Sequence, residues 1–320
     1  MSILFVTRHF SEGLFPLIVE IAKQIPVTYV YFSNEENEFV KNGVEIKQLD
    51  ESKPEKFNDL LAKLSPSSAI FSSVKLVSEL RPQANNIGVI VNEFVPTKVV
   101  ANFNFVLTFF STLEQFYKGY VDVVKISPFI DMEKIENLRK QRISKIKEFS
   151  SVHSFTIFAD ELSDEFHNLI RVLDRFRSNG ANMSVNVITR EQAITNLSHI
   201  SFIKRPVEEN KLLSLLSLSD ISFFVTQNVF DFVRAFSVGN PVVVSSRTFL
   251  FEYVWNGKNG FVISFEDERI IETVVKKAMD KLSSMTKRAQ KDAMTFDVKQ
   301  VARDFLNQLA RKNLIEGIEI

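Results

Sequence analysis

Several side chains that could act on a polar, anionic substrate stand just beyond apolar runs of this sequence. The first run ends at Thr7 and leads into Arg8-His9-Phe10-Ser11-Glu12-Gly13. An imidazole titrates near neutrality, so His9 could polarise a substrate hydroxyl, with Arg8 beside it as a charge for an anion. Glu93 follows the run Ile87 to Val91 and is the one candidate base there. Beyond Val242 to Val244 come Ser245, Ser246, Arg247 and Thr248, three hydroxyls around a guanidinium, which is a donor set suited to phosphate. Lys204 and Arg205 follow a further apolar run. Each group also has a plain structural role open to it. His9 could be a capping or surface histidine, Glu93 a helix cap or ion-pair partner, and the cations solvated charges.

Other chemistries are less well served. His9, His153, His167 and His199 are scattered without the i, i+4 spacing of a helical metal site, and no clustered Asp pair accompanies them. No bound metal is expected, and His153, His167 and His199 read as structural. The absence of Cys excludes disulfides, thiolate metal sites and a Cys nucleophile.

Loop groups are useful only if the elements before them fix their positions. Ile3 to Thr7 reads as a buried strand, Phe15 to Gln24 as a helix with Phe15, Ile18, Val19 and Ala22 on one face, and Val27 to Phe32 as a second strand. Ala69 to Phe71, Ile87 to Val91, Phe105 to Leu107 and Val123 to Ile126 read as strands, with helices over Lys56 to Lys63 and Leu113 to Tyr117. The charged stretch Met132 to Phe149 predicts a helix at a domain junction. A second alternation follows: strand Phe155 to Phe158, helix Glu165 to Arg177, strand Met183 to Ile188, helix Leu212 to Leu218 and strand Ile221 to Val225. Helix Val229 to Val238 should end at Gly239-Asn240-Pro241, where the glycine permits a left-handed cap and the proline forbids continuation. Val301, Phe305 and Leu309 share one face of a C-terminal helix that could pack back across both domains.

The class is therefore α/β, with two Rossmann-like domains over residues 1–148 and 149–296 and a C-terminal helix in 297–320. Open parallel sheets bind ligands beyond the carboxyl ends of their strands, so the expected site is a cleft that the two sheets face. A length of 320 residues agrees with two domains. With 39 basic and 39 acidic residues no bulk field favours nucleic acid, and no such partner is expected. The N-terminus lacks a basic, signal-like region and no apolar run approaches the roughly 20 residues that span a bilayer, so the expected location is cytoplasmic. The 31 Phe leave peripheral membrane contact or a homodimer open, since one sequence does not show where they point.

Four segments, in order, resemble the retaining glycosyltransferases of family four, which have the double-Rossmann GT-B fold. Leu212 to Asp220 followed by Ile221-Ser-Phe-Phe-Val225 is similar to that family's helix, turn and strand leading to the donor site. Ala235-Phe-Ser-Val-Gly-Asn-Pro-Val-Val-Val-Ser245 resembles its "EAMACGTPVVAS" segment, and Glu252-Tyr-Val-Trp-Asn-Gly-Lys-Asn-Gly-Phe-Val262 its "E-I-V-x-x-G-x-N-G-x-L" stretch. Upstream, Val124-Lys-Ile-Ser-Pro-Phe-Ile-Asp131 resembles the interdomain "V-x-V-I-P-N-G-V-D" segment.

The resemblance implies retaining, metal-independent transfer of a hexose from a nucleotide-diphosphate sugar to a hydroxyl of a glycan, lipid or protein. The nucleotide sugar would be a co-substrate, with no cofactor besides. Thr226 and Arg234 align with the family's donor-site positions, Glu252 lies in its matching stretch, Ser246, Arg247, Thr248, Lys204 and Arg205 are placed where they could substitute for its donor-binding groups, and Arg8, Glu12 and Gly13 lie in the loop that resembles its phosphate and acceptor loop. His9 and Glu93 remain the catalytic candidates. The sequence departs from the family where two glutamates eight residues apart face donor sugar and ribose: Thr226 and Arg234 stand there. The family's diphosphate-neutralising arginine and lysine align with Glu161 and Glu165, and carboxylates repel a diphosphate. These departures keep a second reading in view, a catalytically inactive GT-B pseudoenzyme that binds a glycan or a protein. A third is another double-Rossmann activity, such as sugar epimerisation or modification of nucleic-acid bases.

Overall fold

The computed structural model describes residues 2–53, 55–147, 152–191 and 199–315. They fall into two compact units, Met1–Phe129 with Val298–Ile320, and Ile130–Asp297.

The first unit opens with β1 (Ile3–Thr7), α1 (Phe15–Ala22) and β2 (Val27–Ser33), followed by the hairpin β3 (Asn37–Lys41) and β4 (Val44–Asp50). It continues through α2 (Glu55–Leu64), β5 (Ser68–Phe71), α3 (Val74–Leu80), β6 (Ile87–Ile90) and the short α4 (Thr97–Val100). Then come β7 (Phe105–Thr108), α5 (Ser111–Tyr117) and β8 (Asp122–Lys125). The sheet order is β3-β4-β2-β1-β5-β6-β7-β8, with only the β3–β4 pair antiparallel. Strands buried on both faces need continuous apolar runs, and β1, β5 and β7 are buried at every position. In α1 the buried face is Phe15, Leu17, Ile18 and Ile21, so Leu17 and Ile21 take the places expected of Val19 and Ala22. The helix covers the sheet with a wider apolar stripe than the face chosen from spacing.

The second unit contains α6 (Met132–Lys147), β9 (His153–Phe158), α7 (Asp164–Ser178), β10 (Met183–Thr189) and β11 (Ile200–Lys204). It continues with α8 (Glu209–Leu218), β12 (Ile221–Phe224), α9 (Val229–Val238), β13 (Val242–Ser245) and a 3-10 turn over Phe249–Tyr253. β14 (Gly260–Ile263), α10 (Glu268–Asp280), α11 (Leu282–Asp292) and a second 3-10 turn (Ala293–Phe296) complete it. Its six strands are all parallel in the order β11-β10-β9-β12-β13-β14. That is the Rossmann order, whose switch point lies between β9 and β12. Most of the abundant Phe serves the cores: Phe158 stacks on Phe224 with centroids 4.6 Å apart, and Phe155 meets Phe223 edge-on at 5.9 Å. Among the described residues only Phe94, Phe116 and Phe251 rank as exposed large hydrophobics of that type.

The chain divides between Phe129 and Ile130 and not after 148, because α6 packs as a layer of the second unit. Arg142 of α6 is fully buried against Asp220, and Arg139 Nη2 donates to the Gln290 carbonyl at 2.5 Å. Phe149, the last residue of the expected helix, lies outside the described residues. The C-terminal helix α12 (Val298–Arg311) returns to the first unit, buries Val301, Phe305 and Leu309, and donates from Gln308 Nε2 to the Lys125 carbonyl at 2.8 Å.

Gly239 closes α9 with φ of +106°, as its sequence setting requires. A Cβ there would stand 2.7 Å from Cγ of Gln290, whose amide donates to the Val238 carbonyl at 2.9 Å. Gly239→Ala is expected to cost about 1–2 kcal/mol from the left-handed backbone alone, plus the displacement of Gln290. A lowered melting temperature of the purified variant checks this.

Candidate functional site

Asn228 starts α9 with its side-chain oxygen accepting from the backbone of Phe230 and Asp231 at 3.2 and 3.1 Å, which fixes the helix against the end of β12. Ser163 caps α7 in the same way beyond β9. The two strands flank the switch point, and one hydrogen bond spans it: Thr226 Oγ1, beyond β12, donates to Asp160 Oδ2, beyond β9, at 2.6 Å. The position where the resemblance calls for a glutamate thus carries a hydroxyl that holds a neighbouring loop's carboxylate.

Cations gather around that carboxylate. Arg190, beyond β10, brings Nε to 3.5 Å from Asp160 Oδ1, and Arg205, beyond β11, brings Nε to 3.4 Å. Arg205 also bonds Asp231 through Nη2 and lies over the Phe158 ring at 5.9 Å. Arg234 is buried and turned between Glu209 at 3.1 Å and Asp231 at 3.4 Å, with Lys134 at 3.9 Å from the other Glu209 oxygen. Arg190, Arg205, Arg234 and Lys134 therefore face Asp160, Asp231 and Glu209, an excess of one positive charge. The side chain of Arg190 is 72% exposed and open to a ligand, whereas that of Arg234 is buried. Lys204 is exposed at the end of the edge strand β11.

A second group lies beyond β13 and β14. Glu165 is buried and accepts the Ser245 hydroxyl at 3.1 Å, while Arg247 stands 3.7 Å from it and pairs with Glu266. Glu161 is exposed. Thr248 is buried with its hydroxyl given to the Ser245 carbonyl at 2.9 Å, which closes the turn, and Ser246 is exposed. Glu252 is half-buried beside Tyr253, whose phenol is pushed up by burial and then by the Glu252 carboxylate.

In the first unit, Thr7 Oγ1 donates to the His9 carbonyl at 2.7 Å and meets the Tyr29 hydroxyl at 2.7 Å, which shapes the loop after β1. His9 and Glu12 are exposed, and Gly13 lies in the turn entering α1. Arg8 is held between Glu51 and Glu79. Glu93 is exposed beyond β6, with its carbonyl accepting from Tyr117 at 3.4 Å. Since β5 separates β1 from β6, the strands that lead to His9 and Glu93 stand two strand spacings apart, roughly 10 Å.

The structure thus brings Thr226, Arg205 and Arg234 together and adds Asp160, Arg190, Asp231 and Glu209, which the sequence reading did not choose. Asp160 was findable, since it follows β9 at the switch point. Arg8, Arg234 and Arg247, all candidates for phosphate, are each flanked by two carboxylates.

No family model and no curated protein sequence matches the chain. Among solved structures it is similar to a sucrose-phosphate synthase from Thermosynechococcus elongatus, with a TM-score of 0.72 and 10% identity over 98% of this chain and 99% of that one. It is also similar to HepE of Anabaena in complex with UDP and glucose, with a TM-score of 0.69 and 15% identity over 97% and 99% of the two chains. A glycosyltransferase from Rickettsia africae gives a TM-score of 0.70 and 11% identity over 99% of both. The chain has the fold of GT-B glycosyltransferases, two Rossmann-like units with parallel sheets. No helix among the described residues is long and apolar enough to cross a membrane.

Proposed function

We propose that the chain is a glycosyltransferase, a divergent relative of the retaining family-four enzymes, that moves a hexose from a nucleotide-diphosphate sugar to a hydroxyl acceptor. The observation that carries this reading is the Asp160–Thr226 hydrogen bond across the switch point, with Arg190 and Arg205 against the same carboxylate. A carboxylate and two guanidiniums at this place supply what a sugar nucleotide needs: an acceptor for sugar or ribose hydroxyls and charge for the diphosphate. HepE, described in complexes with UDP and with UDP-glucose, makes uridine nucleotides the first to try.

In this reading Arg190 and Arg205 hold the phosphates and stabilise the leaving nucleoside diphosphate, and the amino end of α9 adds its partial positive charge. Asp160 orients the hexose. His9 and Glu93 are the groups for the acceptor hydroxyl, on a glycan, lipid or protein. Arginines take the charge-neutralising role, so no metal is required, and a chelator leaves the rate unchanged. A nucleoside diphosphate at a hundredfold excess over its dissociation constant is expected to stabilise the protein by about 2.7 kcal/mol, read as a raised melting temperature. If uridine, guanosine and adenosine diphosphates at millimolar concentration all leave the melt where it was, donor binding is wrong.

One observation favours a second reading, a pseudoenzyme that binds a glycan or protein. Arg8, Arg234 and Arg247 are already paired, so a diphosphate must compete with carboxylates for them. Release of nucleotide from a nucleotide sugar supports the enzyme, while glycan binding that ignores nucleotide supports the pseudoenzyme.

A further inference from the structure

The sequence has one tryptophan, and the fold leaves it in the open. Trp255 is 53% exposed between the first 3-10 turn and β14, with Arg288 Cζ 4.8 Å and Lys258 Nζ 5.2 Å from its ring centroid. The backbone beneath it is pinned. Trp255 N donates to Asn259 Oδ1 at 2.8 Å, and the buried Asn259 amide donates to Asp292 of α11 at 2.9 Å. The ring is thus held outward by the fold.

Helix α11 extends the same surface. Met285 and Ala289 point inward, while Lys287 and Lys291 are exposed one turn apart beside Arg288, unpaired among the described residues. Met294 follows, 55% exposed. Residues 281–295 hold four cations, Lys281, Lys287, Arg288 and Lys291, against the single acid Asp292, which is itself 2.8 Å from Arg288. The neutral total charge of the chain hides this local excess. About half of the indole and of the thioether, whose sulfur accepts from Arg139 Nη1 at 3.1 Å, still faces water at a cost in solvation, and the cations around them repel one another unless an anion covers them. A lipid headgroup layer meets both demands, since it takes Trp at its depth and attracts juxtaposed Lys and Arg through anionic lipids.

We propose that the face formed by Trp255, Lys258, Lys287, Arg288, Lys291 and Met294 docks on an anionic phospholipid bilayer. The apolar side chains enter the boundary between headgroups and acyl chains, and the cations lie over phosphates. Docking does not depend on sugar transfer, and nucleotide binding is measured separately.

The test uses the full chain with vesicles of phosphatidylcholine alone and of phosphatidylcholine mixed with phosphatidylglycerol. Flotation is expected only with the anionic vesicles, reversed by salt, with the emission of Trp255 moving to the blue. Each cation at such a surface is worth about a fivefold change in partitioning, so Lys287→Gln with Lys291→Gln should lower it about 25-fold. Both positions are exposed, and an unchanged melting curve verifies that the variant folds. Absence of binding to the anionic vesicles overturns the proposal, as does capture on an acidic protein surface without vesicle binding. Binding with unshifted emission, or binding that the double variant leaves intact, overturns it too, because another face is then responsible.

Discussion

Asp220→Asn is expected to cost the second unit about 3–5 kcal/mol, the usual effect of leaving one member of a buried ion pair without its partner. Arg142 has no exposed surface, and its Nη1 lies 3.4 Å from Asp220 Oδ1, while Nη2 donates to the Asp220 carbonyl at 2.7 Å. Burial pulls the guanidinium down to about 10 and Asp220 opposes that shift, so the cation is charged at every physiological pH. Asparagine keeps the shape and can still accept from Ser154 N, which now bonds Asp220 Oδ2 at 2.9 Å. What it removes is the countercharge. In a unit of this size the loss should lower its melting temperature by about 10 °C, followed by Trp255, which lies in the same unit. Adding Arg142→Met removes the stranded cation and should recover part of the loss. If Asp220→Asn melts with the wild type, or if the double variant is no better than the single, the pair does not fasten α6 to the sheet.

That ion pair also explains where sequence reading succeeded and where it failed. Strands β1, β5 and β13 are legible because each holds three or four consecutive apolar residues, which is what burial on both faces demands, and in β9 and β12 a single buried Thr156 or Ser222 interrupts the run. The affiliation of α6 was not legible. Its composition is that of a solvated linker, and its one fully buried charged residue among those described, Arg142, is of a type seldom buried. The β3–β4 hairpin is harder to read although Asn42-Gly43, with φ of +52° and +81°, is the standard signal for a tight turn between strands. Its flanks, with mostly exposed β3 residues, alternate too weakly to read as a strand. At the site, spacing could align Thr226 and Arg234 with lost glutamates but could not see lateral neighbours. Asp160 reaches Thr226 from a strand 66 residues earlier, and Glu209 reaches Arg234 from the preceding helix. A carboxylate absent from one loop can be supplied by the adjacent one, and only the strand order reveals it.

The largest functional effect should come from Arg205. Arg205→Ala is expected to lower kcat/KM about 10²–10³-fold, the usual range for deleting one preorganised donor to a developing charge, and to abolish the melting shift given by a nucleoside diphosphate. The fold should survive, because Asp231 keeps Arg234 at 3.4 Å when Arg205 is gone. Arg205→Lys restores the charge without the planar fork and should recover only part of the rate. Asp160→Asn separates the two roles in the opposite sense. It withdraws a negative charge beside Arg190 and Arg205, so the diphosphate alone should bind at least as tightly as to wild type. Turnover should fall, because the group that orients the hexose is weakened, and the loss should appear in kcat more than in KM. A purely structural Asp160 would instead lower stability and leave the kcat of the folded fraction intact. A diphosphate shift that persists in Arg205→Ala would put the phosphates elsewhere, with Arg247 and its hydroxyl neighbours beyond β13 the next place to look.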